Sequence, residues 1–345
     1  MNRPRAMIIG AGALGLGFLA ERLAADYDLC LADIQARGEL LAHIQANQGF
    51  TLNLCRTTGI TARTVTGSFQ IAVTDDPTGQ GPFERALQEA DLVFTAVGRR
   101  PLARVVGAIA PAMNARSRQG WLLFCENGLH IAEQWASHFG LPVVLVDTVM
   151  SRMCRFSAPQ EEGYHPLWPG YSHALVVEDY DELPLDASVC APGPFTGVFS
   201  LVSHEEFLCW EDVKFYLHNG MHAFVAYHAY LEGARYFPEA SPRIREEAWQ
   251  VMRTEVIPAI VRTHPSADRA ALEQYGWGLL ERFWNPFFND SIERGIRGIE
   301  EKLAPDERLV GGCEYIRRAG IEPAGYARTI QAAQAILARQ RGADR

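Results

Sequence analysis

Three glycines, Gly10, Gly12 and Gly15, constrain this chain more than any other feature, because they join a short apolar strand at residues 7–9 to a helical run at residues 18–25. In such a setting the first glycine permits a tight turn, the second lets a pyrophosphate reach backbone N–H groups, and the third lets strand and helix pack closely. The positive end of the helix then faces the anion. The next apolar stretch, residues 28–33, ends in Asp33. It lies about 20 residues beyond the glycines, where a carboxylate accepts hydrogen bonds from adenosine ribose hydroxyls. A nicotinamide or flavin nucleotide is therefore expected, with NAD favoured over NADP because Asp33 repels a 2′-phosphate. Arg37 works against that preference by offering a cation nearby. The alternative is a purely structural glycine turn.

A chain of 345 residues exceeds the usual size of one domain, so two are expected. The net charge of −9 argues against nucleic acid or an anionic membrane as partner. Seven cysteines scattered without a CxxC pair read as reduced thiols. No secretory signal and no bilayer-length apolar run is visible, so a cytoplasmic protein is expected.

Apolar strand-like runs at residues 7–9, 29–32, 92–97, 121–125 and 143–146 alternate with helical stretches, the pattern of a parallel sheet covered on both faces. Residues 50–54 and 69–73 alternate more and are expected to form an antiparallel excursion. A Pro/Gly/Tyr-rich passage at residues 157–171 and a second, turn-rich patch at 191–197 break the pattern and are expected to carry an insertion or a lid. From His204 onward the periodicity becomes helical. The expected fold class is α/β: an N-terminal doubly wound, Rossmann-type domain at residues 1–203, then a mostly α-helical domain at 204–345, with substrate between them.

Within the helical half, residues 214–222 carry Lys214, Asn219 and His222. On a helix turning about 100° per residue, Asn219 and His222 are neighbours and Lys214 lies about 80° from His222. A lysine of lowered pKa can take the proton of a secondary alcohol, while an amide and an imidazole hold the oxygen on which charge develops. That is alcohol and ketone chemistry, for which a dinucleotide supplies the hydride acceptor. His218 and His222 also stand at a zinc-binding spacing, but no third ligand is evident, so no metal is expected.

With these blocks the chain resembles the polyol-specific long-chain dehydrogenase family, the mannitol dehydrogenase superfamily, and most of all its branch acting on polyol phosphates. The resemblance rests on the glycine turn with Asp33, on Thr95-Ala-Val-Gly98 and Cys125-Glu-Asn127, on Lys214 through His222, and on Arg282-Phe-Trp-Asn-Pro-Phe-Phe-Asn-Asp290-Ser-Ile-Glu-Arg294-Gly-Ile-Arg297 running on to Lys302 and Arg308. It implies that Lys214 is the acid/base and that Asn219 and His222 contact substrate oxygens. Arg294 and Lys302 would reach substrate hydroxyls or a phosphate, with Arg297 and Arg308 further candidates for the anion. Val97 and Asn127 would lie by the nicotinamide, and Asp147 would stand near the carbonyl. The chain departs from the family at Met150-Ser151-Arg152, where an acid usually precedes the arginine. The expected function is interconversion of a polyol, or polyol phosphate, and its ketose with NAD. Two rivals stay open: a uronate or other keto-acid reductase, and a catalytically silent dinucleotide-binding sensor. The oligomeric state is left open.

Overall fold

The computed structural model describes residues 3–75, 80–158 and 163–343. It divides into two compact units, Met1–His204 and Glu205–Arg345.

In the first unit the strands are β1 (Arg5–Ile9), β2 (Asp28–Asp33), β3 (Gly49–Arg56), β4 (Gly59–Thr66), β5 (Phe69–Val73), β6 (Leu92–Thr95), β7 (Gly120–Phe124), β8 (Val143–Asp147), β9 (Cys154–Ser157), β10 (Ala174–Glu178), β11 (Leu183–Asp186) and β12 (Phe199–Val202). Six of them pair in parallel in the order β5-β2-β1-β6-β7-β8. This is the doubly wound order, whose direction reverses between β1 and β6 and leaves a crevice at their carboxyl ends. The central strands earn their place by being apolar throughout: Met7, Ile8, Leu92, Val93, Phe94, Leu122 and Leu123 are all fully buried. One face packs on the helix Arg99–Asn114 through Leu102, Val106, Ile109 and Met113.

Two expectations for this unit need correcting. Residues 50–54 do lie in an antiparallel pair, β3 with β4, but residues 69–73 form β5, which pairs in parallel with β2 at the edge of the main sheet. An edge strand is half wetted, so its alternation mimics an antiparallel one. The second correction is a whole second sheet, β4-β3-β10-β9. The Pro/Gly/Tyr-rich passage expected to carry an insertion or a lid is bound to that sheet where it is described. Asn53 exchanges hydrogen bonds with the backbone of His165, and Thr51 N–H donates to Leu167 O at 2.8 Å. Trp168 stacks on His43 at 3.8 Å and lies 3.9 Å from Tyr171. Residues 159–162 of that passage lie outside the described residues.

The helix that follows the glycine turn is joined to this second sheet by a buried ion network. Arg152 Nη1 donates to Glu21 Oε2 at 2.8 Å with both side chains essentially out of water, and Arg63 reaches Glu21 Oε1 at 2.6 Å. Arg152 also donates to Glu178 O. This explains how the arginine of Met150-Ser151-Arg152 manages without an acid beside it: Glu21 supplies the charge from a distant part of the chain.

The second unit is helical. Its central helix, Gly220–Glu232, is apolar around most of its circumference and is packed by Ile292–Ile296, Ala324–Ala343 and Pro242–Val251. The approach of Ile292–Ile296 is close, for a Cβ at Gly295 would lie 2.5 Å from Ala226 Cβ. Ser291 starts that short helix by accepting from Arg294 N–H at 3.2 Å. Among the described residues no helix is long and apolar enough to cross a membrane.

Glu21→Ala should cost about 3–5 kcal/mol of stability, since it strands the Arg152 guanidinium in the interior. Urea unfolding of the variant against the parent protein measures it, and an unchanged midpoint contradicts the network.

Candidate active site

The three glycines of the turn are required for three different reasons. Gly10 has φ +107°, and a Cβ there would lie 2.5 Å from Ala96 O at the end of β6. At Gly15 a Cβ would lie 1.9 Å from Gly10 O, so the helix can approach the turn only without a side chain. Gly12 differs: a Cβ there meets nothing within 4 Å, and its φ is ordinary. Among the described residues nothing requires a glycine at that position. The space its missing side chain leaves opens into a cavity of about 520 Å³ at the carboxyl ends of the strands.

One side of the cavity is Gly10, Gly12, Asp33, Ile34 and Arg37, with Thr74 and Asp75 beyond β5; the other is Ala96 and Val97 with Pro101, Arg104, Val105 and Ala108 of the helix Arg99–Asn114. Asp33 is braced, not loose: Oδ2 accepts from Ala11 N–H and Oδ1 from Ile34 N–H, each at 2.8 Å. The carboxylate thus ties the glycine turn to the end of β2 while facing the cavity. Arg37 stands over the Phe156 ring at 5.6 Å. A slot of this size, with Pro101, Val105 and Ala108 beside Arg104 on its helix side and the Asp33 carboxylate at the end of β2, fits an NAD adenosine, and the open space at Gly12 fits its pyrophosphate.

Val97 lines the cavity, whereas Asn127 lies in the turn beyond β7 and is not part of the lining. The ends of β6 and β7 are locked by Glu126, which accepts from Thr95 Oγ1 at 2.7 Å and from Val97 N–H at 3.0 Å. Asp147 accepts from Ala132 N–H at 2.9 Å, at the start of the helix Ile131–Trp135. Burial pushes its carboxyl up, against that hydrogen bond.

In the second unit the expected α-helical spacing of Lys214 and Asn219 does not hold, because residues Val213–Asn219 are wound as a π-helix. In α winding these residues stand about 140° apart, whereas an i→i+5 turn brings them nearly one above the other. The cause is a tyrosine from the C-terminal helix. Tyr326, itself 1% exposed, donates its hydroxyl to Tyr216 O, the carbonyl that α winding would give to the N–H of Gly220. Room for it comes from missing side chains, since a Cβ at Gly220 would lie 2.0 Å from Tyr326 Oη and one at Gly312 would lie 2.4 Å from its ring. Nothing local to residues 213–219 announces this winding.

The chain has only two lysines, Lys214 and Lys302, against thirty arginines. Both belong to one cluster in this unit. Burial holds His218 well below its usual pKa, with the charges of Lys214, Arg282 and Arg294 acting the same way. His218 Nδ1 pairs with Tyr275 Oη at 3.1 Å. Lys302 donates to Gly295 O at 2.7 Å and stands 5.9 Å over the Tyr227 ring. Burial, then the charges of Arg308 and Arg294, bring its amine down to about 7. Only lysine can be tuned so, because a guanidinium stays charged.

Arg294 grips Asp290 through Nε at 2.6 Å and through Nη2, and His222 Nε2 stands 3.0 Å from Asp290 Oδ2. Asp290 thus holds both Arg294 and His222, a role that the sequence alone did not assign to it. Its signal in the sequence is the i,i+4 spacing to Arg294, which the adjacent Glu293 obscures. Glu293 instead pairs with Arg297 at 3.6 Å, both largely exposed, so Arg297 belongs to a solvated ion pair. Arg308 lies over the Phe215 ring at 5.6 Å and beside Glu307 at 3.3 Å.

Two variants separate the glycines. Gly12→Val should weaken NADH binding at least about tenfold, some 1.4 kcal/mol, with an unchanged melting temperature, whereas Gly15→Ala should lower stability by about 1–3 kcal/mol. Fluorescence titration and thermal melts read the two, and equal behaviour contradicts the assignment. For Lys302, the unfolded amine titrates near 10.5 and the folded one near 7. Between those values the unfolded state holds the extra proton, so stability rises with pH across that window. Lys302→Met should flatten the rise between pH 7 and 10 in denaturant titrations; an identical slope refutes it.

Comparison with known proteins agrees with this geometry. Residues 4–151 match the mannitol dehydrogenase Rossmann domain and residues 206–335 the mannitol dehydrogenase C-terminal domain. A mannitol-1-phosphate 5-dehydrogenase of Brevibacillus brevis is 26% identical over 96% of this chain and 86% of its own length. One of Emericella nidulans is 22% identical over 92% and 82%. Among solved structures, Pseudomonas fluorescens mannitol 2-dehydrogenase, in a ternary complex with NAD and D-mannitol, superposes with a TM-score of 0.75 at 17% identity, over 96% of this chain and 78% of that one. With both family domains matched over most of its length, the chain belongs to the mannitol dehydrogenase family.

Proposed function

We propose that this chain is an NAD-dependent dehydrogenase that interconverts a polyol phosphate and the corresponding ketose phosphate, with Lys214 as the acid/base. The observation that carries the reading is the gathering of the chain's only two lysines with Asn219, His222, Arg294 and Arg308 in one helical unit. The cavity at Gly12, Asp33 and Val97 would hold the cofactor. NAD bound there supplies the acceptor of a hydride in oxidation and, reduced, the donor in the reverse direction.

The chain's own residues handle everything else. In oxidation the unprotonated Lys214 amine takes the hydroxyl proton, and in reduction the ammonium returns it to the forming alcohol. The Asn219 amide, brought over Lys214 by the π winding, donates to the oxygen on which negative charge builds. His222 faces a substrate oxygen.

The phosphate part of the proposal rests on charge. Lys302 is held down partly by Arg308 and Arg294, which marks a local excess of cations that a dianion relieves. The Brevibacillus relative carries the name of a mannitol-1-phosphate 5-dehydrogenase, and the proposal extends that substrate class to this chain. The cytoplasm is the expected setting for such metabolism.

NADH oxidation by the purified protein should be faster with a ketose phosphate such as fructose 6-phosphate than with the free ketose or with keto acids. Lys214→Ala should lose about 10²–10⁴-fold in kcat while binding NADH as before. Full turnover in that variant overturns the acid/base assignment, and preference for a keto acid overturns the substrate class.

A further inference from the structure

The pair formed by His222 and Asp290 decides more than orientation. Asp290 is 2% exposed in its side chain, and Arg294 holds both of its oxygens. Burial alone would push this carboxyl up, but the Arg294 charge and the His222 hydrogen bond outweigh it and hold it well below the usual range. An ionised carboxylate only accepts, so the hydrogen between Asp290 Oδ2 and His222 Nε2 belongs to the imidazole. The ring itself is neutral at pH 7, because burial lowers its pKa, helped by Arg294 and Lys302 and opposed by Asp290. Phe237 at 4.4 Å and Phe283 at 5.3 Å fix the ring plane. With Nε2 protonated and the ring neutral, Nδ1 carries a lone pair, and among the described residues no hydrogen bond reaches it.

We propose that Asp290 is a positioning residue that locks His222 as the Nε2–H tautomer, so that Nδ1 accepts a hydrogen bond from a substrate hydroxyl and does not donate to the carbonyl oxygen. The inference rests on the reading that His222 faces the substrate, and it sharpens that reading in two ways. Charge developing on the reacting oxygen is then met by Lys214 and Asn219 alone. The site also demands a second hydroxyl on the substrate, at a fixed place, because an acceptor that the bound substrate covers and leaves without a donor is penalised. A ketose or polyol offers that hydroxyl, and a small keto acid without one does not.

The test has two arms, the first on the NAD-loaded protein and the second on turnover with NADH. Protein labelled with ¹⁵N at histidine, with the His222 signals identified by their loss in His222→Gln, should show at pH 7.5 a protonated Nε2 and an unprotonated Nδ1. An Nδ1–H tautomer or an imidazolium overturns the proposal, whether or not the enzyme turns over polyols. In the second arm, kcat/KM is measured for ketose phosphates lacking one hydroxyl at a time. One position should lose at least about tenfold in the parent enzyme. In Asp290→Asn, whose amide can donate to Nε2 and so release the tautomer, the loss at that position should shrink towards unity. An equal loss in the variant overturns the proposal. Failure of the substrate reading itself would appear elsewhere, as full turnover in Lys214→Ala.

Discussion

A carboxylate taken almost wholly out of water must be held by charge, and around Asp290 that requirement arranges the helical site. Desolvating an unpaired carboxylate is costly enough that it would take up a proton instead. Arg294 one turn along and the His222 ring prevent that. The cost of the charge is thereby converted into fixed positions for two groups that the family resemblance brings to the substrate. The same logic operates in the first unit, where Glu21 holds Arg152 and, through it, the helix behind the glycine turn. In both places an ion pair closes between residues that the sequence does not place side by side: four residues apart in one case, 131 in the other.

Winding is the second constraint. The short helix after the glycine turn, Gly15–Ala20, and the segment bearing Lys214, Val213–Asn219, are both π-wound. Such turns are rare and often mark functional sites. At Lys214 the cause is visible in the Tyr326 hydroxyl seated between Gly220 and Gly312. These two glycines leave the space that the tyrosine occupies.

The glycine turn, Asp33 and the central strands were legible because their signals are local: runs of Met, Ile, Leu, Val and Phe buried on both faces, bounded by glycine. The edge strand β5 was misread because an edge alternates as an antiparallel strand does. The second sheet escaped because β4, Gly59–Thr66, is largely exposed and rich in threonine, and β10, which pairs with β3 on its other side, lies more than a hundred residues on. Lys214, Asn219 and His222 were legible as residue types at a spacing, but not their winding, which depends on Tyr326, 110 residues from the carbonyl it takes. Asp290 stood inside a motif whose arginines drew the attention, while Arg297, equally prominent in that motif, is solvated.

The central claim is that this family member moves a hydride between NAD and the carbinol carbon of a phosphorylated polyol. The most direct measurement uses NADH deuterated on each face of C4 in turn, with fructose 6-phosphate, and mass spectrometry of the product. The account predicts one deuterium on the new carbinol carbon from one face only, with none from the other and none in Lys214→Ala on the same timescale. A product without label from either face, or label appearing only when a keto acid replaces the ketose phosphate, would contradict it.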